Sequence, residues 1–254
     1  MTTSTQSRTR ASLGKAVLHA VAWAIVVVLV LAVAFLVWAN SPMHGNRAAA
    51  IEVWKNPAVS VESTSTSIIL TPTGGVANGT GLVFIPGARV DPYAYMNILS
   101  GVVAEEGVTV VITKPTLNLA FFDQRPLAAF TDPVSGVDTW YVGGHSLGGV
   151  RACMMAESED VAGLVLFGSY CATDLADSGL DVLSLAGSND GLSTPVKVAD
   201  ARSLLPASAQ MVTIEGANHA RFGDYGVQAG DGTATISRAA MRATVTDQLS
   251  SFLD

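Results

Sequence analysis

The chain has 254 residues, enough for one α/β domain of roughly 200 residues and an appendage, and too few for two full catalytic domains. Hydrophobic residues make up 49% of it and charged ones 14%. With 14 Lys and Arg against 21 Asp and Glu, and no clustered basic stretch, nucleic acid is excluded as a partner and a polyanionic substrate is disfavoured.

Residues 1–15 are rich in Ser and Thr and are expected to form a disordered tail. Residues 16–39 follow without an acid or a basic group other than His19, long enough to cross a bilayer as one helix, which needs about 20 apolar residues. Arg8, Arg10 and Lys15 precede this run and the first acid is Glu52, so the positive-inside rule keeps the N-terminus cytoplasmic and exports the body. A cleavable signal peptide ending near Val37 and Ala39 is the alternative, but its apolar core spans only about 7–15 residues, so a retained signal anchor is the expected state. Without residues 1–47 the body keeps 10 basic side chains against all 21 acids, a net charge of −11. Residues 40–50 read as a linker and residues 51–254 as the folded domain.

Short apolar runs suited to strands occur at Ser67–Leu70, Gly81–Ile85, Val108–Ile112, Thr139–Val142, Ala162–Phe167, Val182–Ala186 and Met211–Ile214. Helical periodicity occupies Pro92–Glu105, Leu147–Glu157, Thr194–Leu204 and Ser237–Leu253. The alternation predicts a mostly parallel sheet covered by helices on both faces, and the connections are too short for a lid domain. The glycine-rich stretch Gly74–Gly81 lacks the Lys-Ser/Thr of a phosphate loop and reads as a hairpin turn.

The strongest chemical signal is Gly144-His145-Ser146-Leu147-Gly148, set between an apolar strand and a helix. That context is the one a nucleophile elbow requires, with small residues at Gly144 and Gly148 so that the turn can lift the Ser146 hydroxyl above the sheet. A serine needs a general base, and there are four histidines. His19 lies in the apolar run, His44 in the linker, and His145 in the elbow pointing away from the hydroxyl, which leaves His219, in the loop after the last strand. Asp190, in Gly187-Ser188-Asn189-Asp190-Gly191 after the preceding strand, is the candidate orienting carboxylate, with Asp174 and Asp177 in reserve. The amides of Leu147 and Ala88 are the candidate oxyanion donors, Ala88 lying in the strand-to-helix loop Ile85-Pro86-Gly87-Ala88-Arg89. Arg89 reads as a solvated loop residue that could alternatively steer an anion.

Phe121 and Phe122 are equally suited to a substrate wall or to core packing, and Met154 and Met155 are expected in the core. Cys153 and Cys171 form no metal or redox motif. Export permits a disulfide, but their expected places, two turns down a helix and in a strand-top loop, favour two unpaired buried thiols.

These residues carry a resemblance. Pro86-Gly87-Ala88-Arg89-Val90-Asp91-Pro92-Tyr93-Ala94-Tyr95, Leu117-Asn118-Leu119-Ala120-Phe121, Gly143 to Gly149, Gly187 to Gly191 and Gly216-Ala217-Asn218-His219-Ala220-Arg221-Phe222-Gly223-Asp224-Tyr225-Gly226 together resemble the alpha/beta hydrolase fold-5 branch of the α/β-hydrolase superfamily, from about Gly81 to the C-terminus. The resemblance implies a lidless hydrolase domain with Ser146, Asp190 and His219 as its triad. The chain departs from the family's usual residues at Ala217, often Gly, and Arg221, often Gln, beside the candidate base. The expected activity is hydrolysis of an ester or related acyl bond on a small-molecule or cell-envelope substrate, through an acyl-enzyme and with no metal or organic cofactor. Acyl transfer by the same triad, and a non-catalytic anchored binding protein on this fold, are the alternatives.

Overall fold

The computed structural model describes residues 4–74 and 77–253, with side chains from Lys15 onward. Residues 1–3, within the expected tail, and Gly75 and Val76, within the expected hairpin turn, lie outside the described residues. The chain forms two compact units, residues 1–41 and 42–254.

In the first unit one helix, α1, runs Ser4–Ala39, so most of the expected tail is helical, continuous with the apolar run. From Lys15 to Ala39 it is long and apolar enough to cross a membrane. Its Val, Leu, Trp and Phe side chains between Val17 and Trp38 are largely exposed, the arrangement of a helix whose surroundings must themselves be apolar.

The second unit is built on an eight-stranded sheet with strands β1 (Val59–Ser63), β2 (Ser67–Pro72), β3 (Thr80–Ile85), β4 (Thr109–Thr113), β5 (Thr139–His145), β6 (Gly163–Phe167), β7 (Asp181–Gly187) and β8 (Gln210–Ile214). Their order is β1-β2-β4-β3-β5-β6-β7-β8, antiparallel for the first two pairings and parallel thereafter. All seven expected strands are present. The eighth, β1, is a short edge strand of sequence Val-Ser-Val-Glu-Ser with mostly exposed side chains, too polar for an apolar-run criterion to detect.

Period-two alternation divides the sheet's side chains between two cores. Leu82, Phe84, Val165 and Phe167 face one side, packed with Leu99 and Val102 of α3 (Met96–Glu106) and Val245 and Leu249 of α7 (Arg238–Leu253). Val83, Ile85, Leu164 and Leu166 face the other, packed with Ala152 and Met155 of α5 (Leu147–Ser158). Two short helices, α4 (Ala128–Thr131) and α6 (Pro195–Asp200), complete the second layer. Met155 is buried as expected, whereas Met154, about 100° further around the helix, is 38% exposed. Phe121 and Phe122 are exposed, at 45% and 52%, so the core-packing reading of that pair does not hold.

Two other expectations are corrected. The stretch 40–50 is part of the folded body from Pro42 onward: Met43 bridges Val90, and α2 (Arg47–Lys55) starts at Asn46, whose side chain accepts from the amides of Ala48 and Ala49. Cys153 and Cys171 form a disulfide with a Cα separation of 5.6 Å. The loop leaving β6 turns back along α5 at Ser169, bringing Cys171 against the second turn of that helix.

Candidate active site

Ser146 is the single residue between the last position of β5 and the first of α5. Its backbone is forced to φ 52°, ψ −124°, a region disfavoured for a residue with a side chain, and four contacts hold it there. A Cβ on Gly144 would come within 2.4 Å of the Gly148 carbonyl carbon, and one on Gly148 within 2.1 Å of the Ile85 carbonyl oxygen. The Ser146 amide donates to the Phe167 carbonyl at 3.1 Å, and the Ser169 hydroxyl donates to the Ser146 carbonyl at 2.7 Å.

The same close packing brings the loop leaving β3 against the first turn of α5. Leu147 opens that helix, so its N–H has no carbonyl within the helix to satisfy it. The Ala88 peptide is fixed by its neighbours: Gly87 donates to the Tyr95 hydroxyl at 3.0 Å and Arg89 donates to the Asn118 carbonyl at 2.7 Å. Arg89, Leu117, Asn118 and Ser146 are the four non-glycine residues at positive φ among the described residues, and all lie where β3, β4 and β5 end. Arg89 is half-buried, which departs from the solvated loop residue expected of it.

His219 and Asp190, 29 residues apart, meet at the ends of β7 and β8. His219 Nδ1 lies 2.8 Å from Asp190 Oδ2, and both side chains are fully buried. Asp190 Oδ1 accepts from the amides of Leu192 at 2.8 Å and Ser193 at 2.7 Å, which makes the carboxylate an acceptor on both oxygens. Nδ1 therefore carries the proton, and Nε2, which has no hydrogen-bond partner among the described residues, presents its lone pair. Asp174 and Asp177 instead line a surface depression with Ala156 and Glu157 and take no part in this pairing.

His145, the residue preceding Ser146, packs among Tyr95, His219, Phe222 and Tyr225. It is fully buried, its Nδ1 lies 2.9 Å from the Tyr95 hydroxyl, and its ring centroid is 4.4 Å from that of His219. The Tyr95 oxygen accepts from Gly87 and shares a hydrogen bond with Nδ1 of His145. Burial pushes the His145 pKa well below the ordinary imidazole value, the adjacent His219 pushes the same way, and the His219 backbone opposes. Burial likewise drives the Tyr95 pKa upward, so the pair stays neutral beside the His219 ring. Tyr95 and Ser169 escaped the sequence reading, since a lone Tyr in a helix start and a Ser after a strand carry no chemical signature by themselves.

A lidless, mostly parallel sheet with a strained serine at one strand exit and a buried His–Asp pair at two others defines the α/β-hydrolase architecture. Residues 81–243 match the alpha/beta hydrolase family, and the chain belongs to it. None of the curated proteins matches. Among solved structures, a thermostable esterase from Pseudomonas putida ECU1011 superposes with a TM-score of 0.57 at 15% identity over 82% of this chain and 88% of its own. A serine hydrolase without a lid from Xanthomonas campestris gives 0.55 at 14% identity over 78% and 96%. TT1662 from Thermus thermophilus gives 0.54 at 16% identity over 77% and 98%.

Proposed function

We propose that this protein is a membrane-anchored, extracytoplasmic serine hydrolase that cleaves an ester or related acyl bond through an acyl-enzyme on Ser146. The observation that carries the reading is the His219–Asp190 pair: a carboxylate that accepts from two amides and pairs with the imidazole Nδ1, leaving Nε2 unpartnered near the elbow. In this reading Nε2 takes the proton of the Ser146 hydroxyl as its oxygen attacks the acyl carbon. The amides of Leu147 and Ala88 hold the negative oxygen of the tetrahedral intermediate. His219, now protonated and stabilised by Asp190, returns the proton to the departing alcohol, and water then releases the acid by the same sequence. Neutral Tyr95 and His145 keep further charge away from the imidazolium. The names of two similar structures, an esterase and a lidless serine hydrolase, agree with this chemistry.

The anchored placement has separate support. Helix α1 is long and apolar enough to span a bilayer from Lys15 to Ala39, its basic residues Arg8, Arg10 and Lys15 cluster at its N-terminal end, and the Cys153–Cys171 disulfide suits an oxidising compartment. Residues 1–15 are then the cytoplasmic tail and residues 42–254 the exported body.

Full-length protein in detergent is treated with a fluorophosphonate probe and assayed on p-nitrophenyl esters of increasing acyl length. Labelling confined to Ser146 with turnover lost in Ser146→Ala is expected, and well-folded protein that neither labels nor turns over refutes the reading. Protease added to intact cells should remove the body and spare the N-terminal tail.

A further inference from the structure

We propose that Asp231 is a positioning residue that holds the acid and base loops of the site in register. This inference rests on the hydrolase reading for its kinetic consequence, but its geometric basis is independent of it.

Asp231 lies in the segment 224–237, between the turn that begins at His219 and helix α7, and its carboxylate binds backbone on both sides of the acid–base pair. Oδ1 accepts from the amide of His219 at 3.0 Å and from that of Gly191 at 3.2 Å, and also from Gly232, its own neighbour, at 2.7 Å. Oδ2 accepts from the amide of Ala220 at 2.9 Å. One side chain thus grips the residue after Asp190 and the base residue itself, with four backbone donors converging on its carboxylate.

The turn His219–Phe222 needs this partner. The first amides of any helical turn lack internal acceptors, and the residue in the capping position, Asn218, directs its side-chain amide to the Gly232 carbonyl at 2.8 Å instead. Asp231 caps the turn from a distance, and charged acceptors make the stronger caps. Contacts between the same two segments reinforce it: Asn189 donates to the Thr233 carbonyl at 3.0 Å, and a Cβ on Gly232 would come within 2.0 Å of the Asn189 carbonyl oxygen, so the segment lies directly on the acid loop. The Nδ1 to Oδ2 contact has no covalent support shorter than 29 residues. Asp231 supplies a short non-covalent one, from Gly191 through a single carboxylate to His219.

The test uses full-length protein in detergent, labelled with ¹⁵N-histidine, in the forms Asp231→Ala and Asp231→Asn beside the parent. The readouts are kcat and KM on a p-nitrophenyl ester and the far-downfield proton resonance of the His219 Nδ1–H bound to Asp190. Positioning predicts a fall in kcat of at least tenfold for Asp231→Ala with KM within twofold, and an upfield shift or exchange broadening of that resonance. Asp231→Asn, which keeps one acceptor oxygen, should fall between; it carries the test if the Ala variant does not fold. A folded variant with lower Tm but the parent's kcat and the parent's resonance shows a merely structural role and overturns the proposal. If the parent itself has no turnover, the hydrolase reading fails while the resonance still decides the role of Asp231.

Discussion

The Tyr95 hydroxyl lies 2.9 Å from His145 Nδ1 and 3.0 Å from the Gly87 amide, so one phenol joins the loop after β3 to the residue preceding Ser146. Tyr95→Phe removes the hydrogen-bond partner of two buried groups, the Gly87 amide and His145 Nδ1, each worth about 1–3 kcal/mol when left unsatisfied. Denaturant unfolding should show a loss of about 2–4 kcal/mol. The rate of fluorophosphonate labelling should fall about tenfold, because Ala88 and the elbow lose their common support. A variant as stable and as reactive as the parent would disprove the coupling.

Ser146 is strained at φ 52°. Ser146→Gly relieves a cost of about 1–3 kcal/mol at the expense of some unfolded-state entropy, whereas Ser146→Ala retains the strain. Both should abolish labelling, and Gly should be the more stable by about 1 kcal/mol at the denaturation midpoint. Equal stability of the two would mean the backbone at 146 is relaxed.

Asp190→Asn preserves shape but can offer an N–H where His219 Nδ1 needs an acceptor, favouring the wrong tautomer. A kcat lower by about 10³–10⁴-fold with little change in KM is expected. A loss below tenfold would assign the orienting role elsewhere.

The pKa of His145 is depressed in the folded state, so the native imidazole stays neutral while the unfolded one takes up a proton below pH ~6.5. Its contribution to stability is therefore intact above that value and lost as pH falls below it, by up to about 1.4 kcal/mol per pH unit. Comparing unfolding free energies at pH 7, 6 and 5 for parent and His145→Gln isolates this proton. The variant should show the shallower slope, and identical slopes would contradict the buried neutral state.

Cys153 and Cys171 close a loop with a sequence separation of 18, and the corresponding chain entropy is about 3 kcal/mol. The double Cys→Ser variant should lose about that much in thermal or denaturant unfolding while still labelling at Ser146. Unchanged stability would show that residual structure in the unfolded chain already keeps the two segments close.

The legible features were those with local signatures. Apolar runs marked seven strands, most clearly the central parallel ones β3, β4, β6 and β7 that are buried on both faces, and the elbow was visible because its glycines are close in sequence to Ser146. His219 emerged by elimination among four histidines. Features that depend on distant segments were not readable. β1 gains its role only by pairing with β2, Tyr95 reaches His145 across 50 positions, and Asp231 sits in an ordinary Gly-Asp-Gly turn whose four amide partners are fixed by the folded chain. The disulfide misled for the same reason: its geometry depends on the return of the 168–171 loop along α5, which no local pattern encodes.

The glycines around Ser146 also bear on how such a site can diversify. A Cβ at Gly143, Gly144, Gly148 or Gly149 would meet another atom within 2.7 Å, so the ground beneath Ser146 admits no new side chain. Variation in what is bound has to be written away from that floor, and the loops leaving β3 and β4, which carry Arg89 and the exposed Phe121 and Phe122, are the candidates. Mutational libraries confined to those loops should recover altered acyl preference at high frequency, whereas libraries at the four glycines should return mostly unfolded protein.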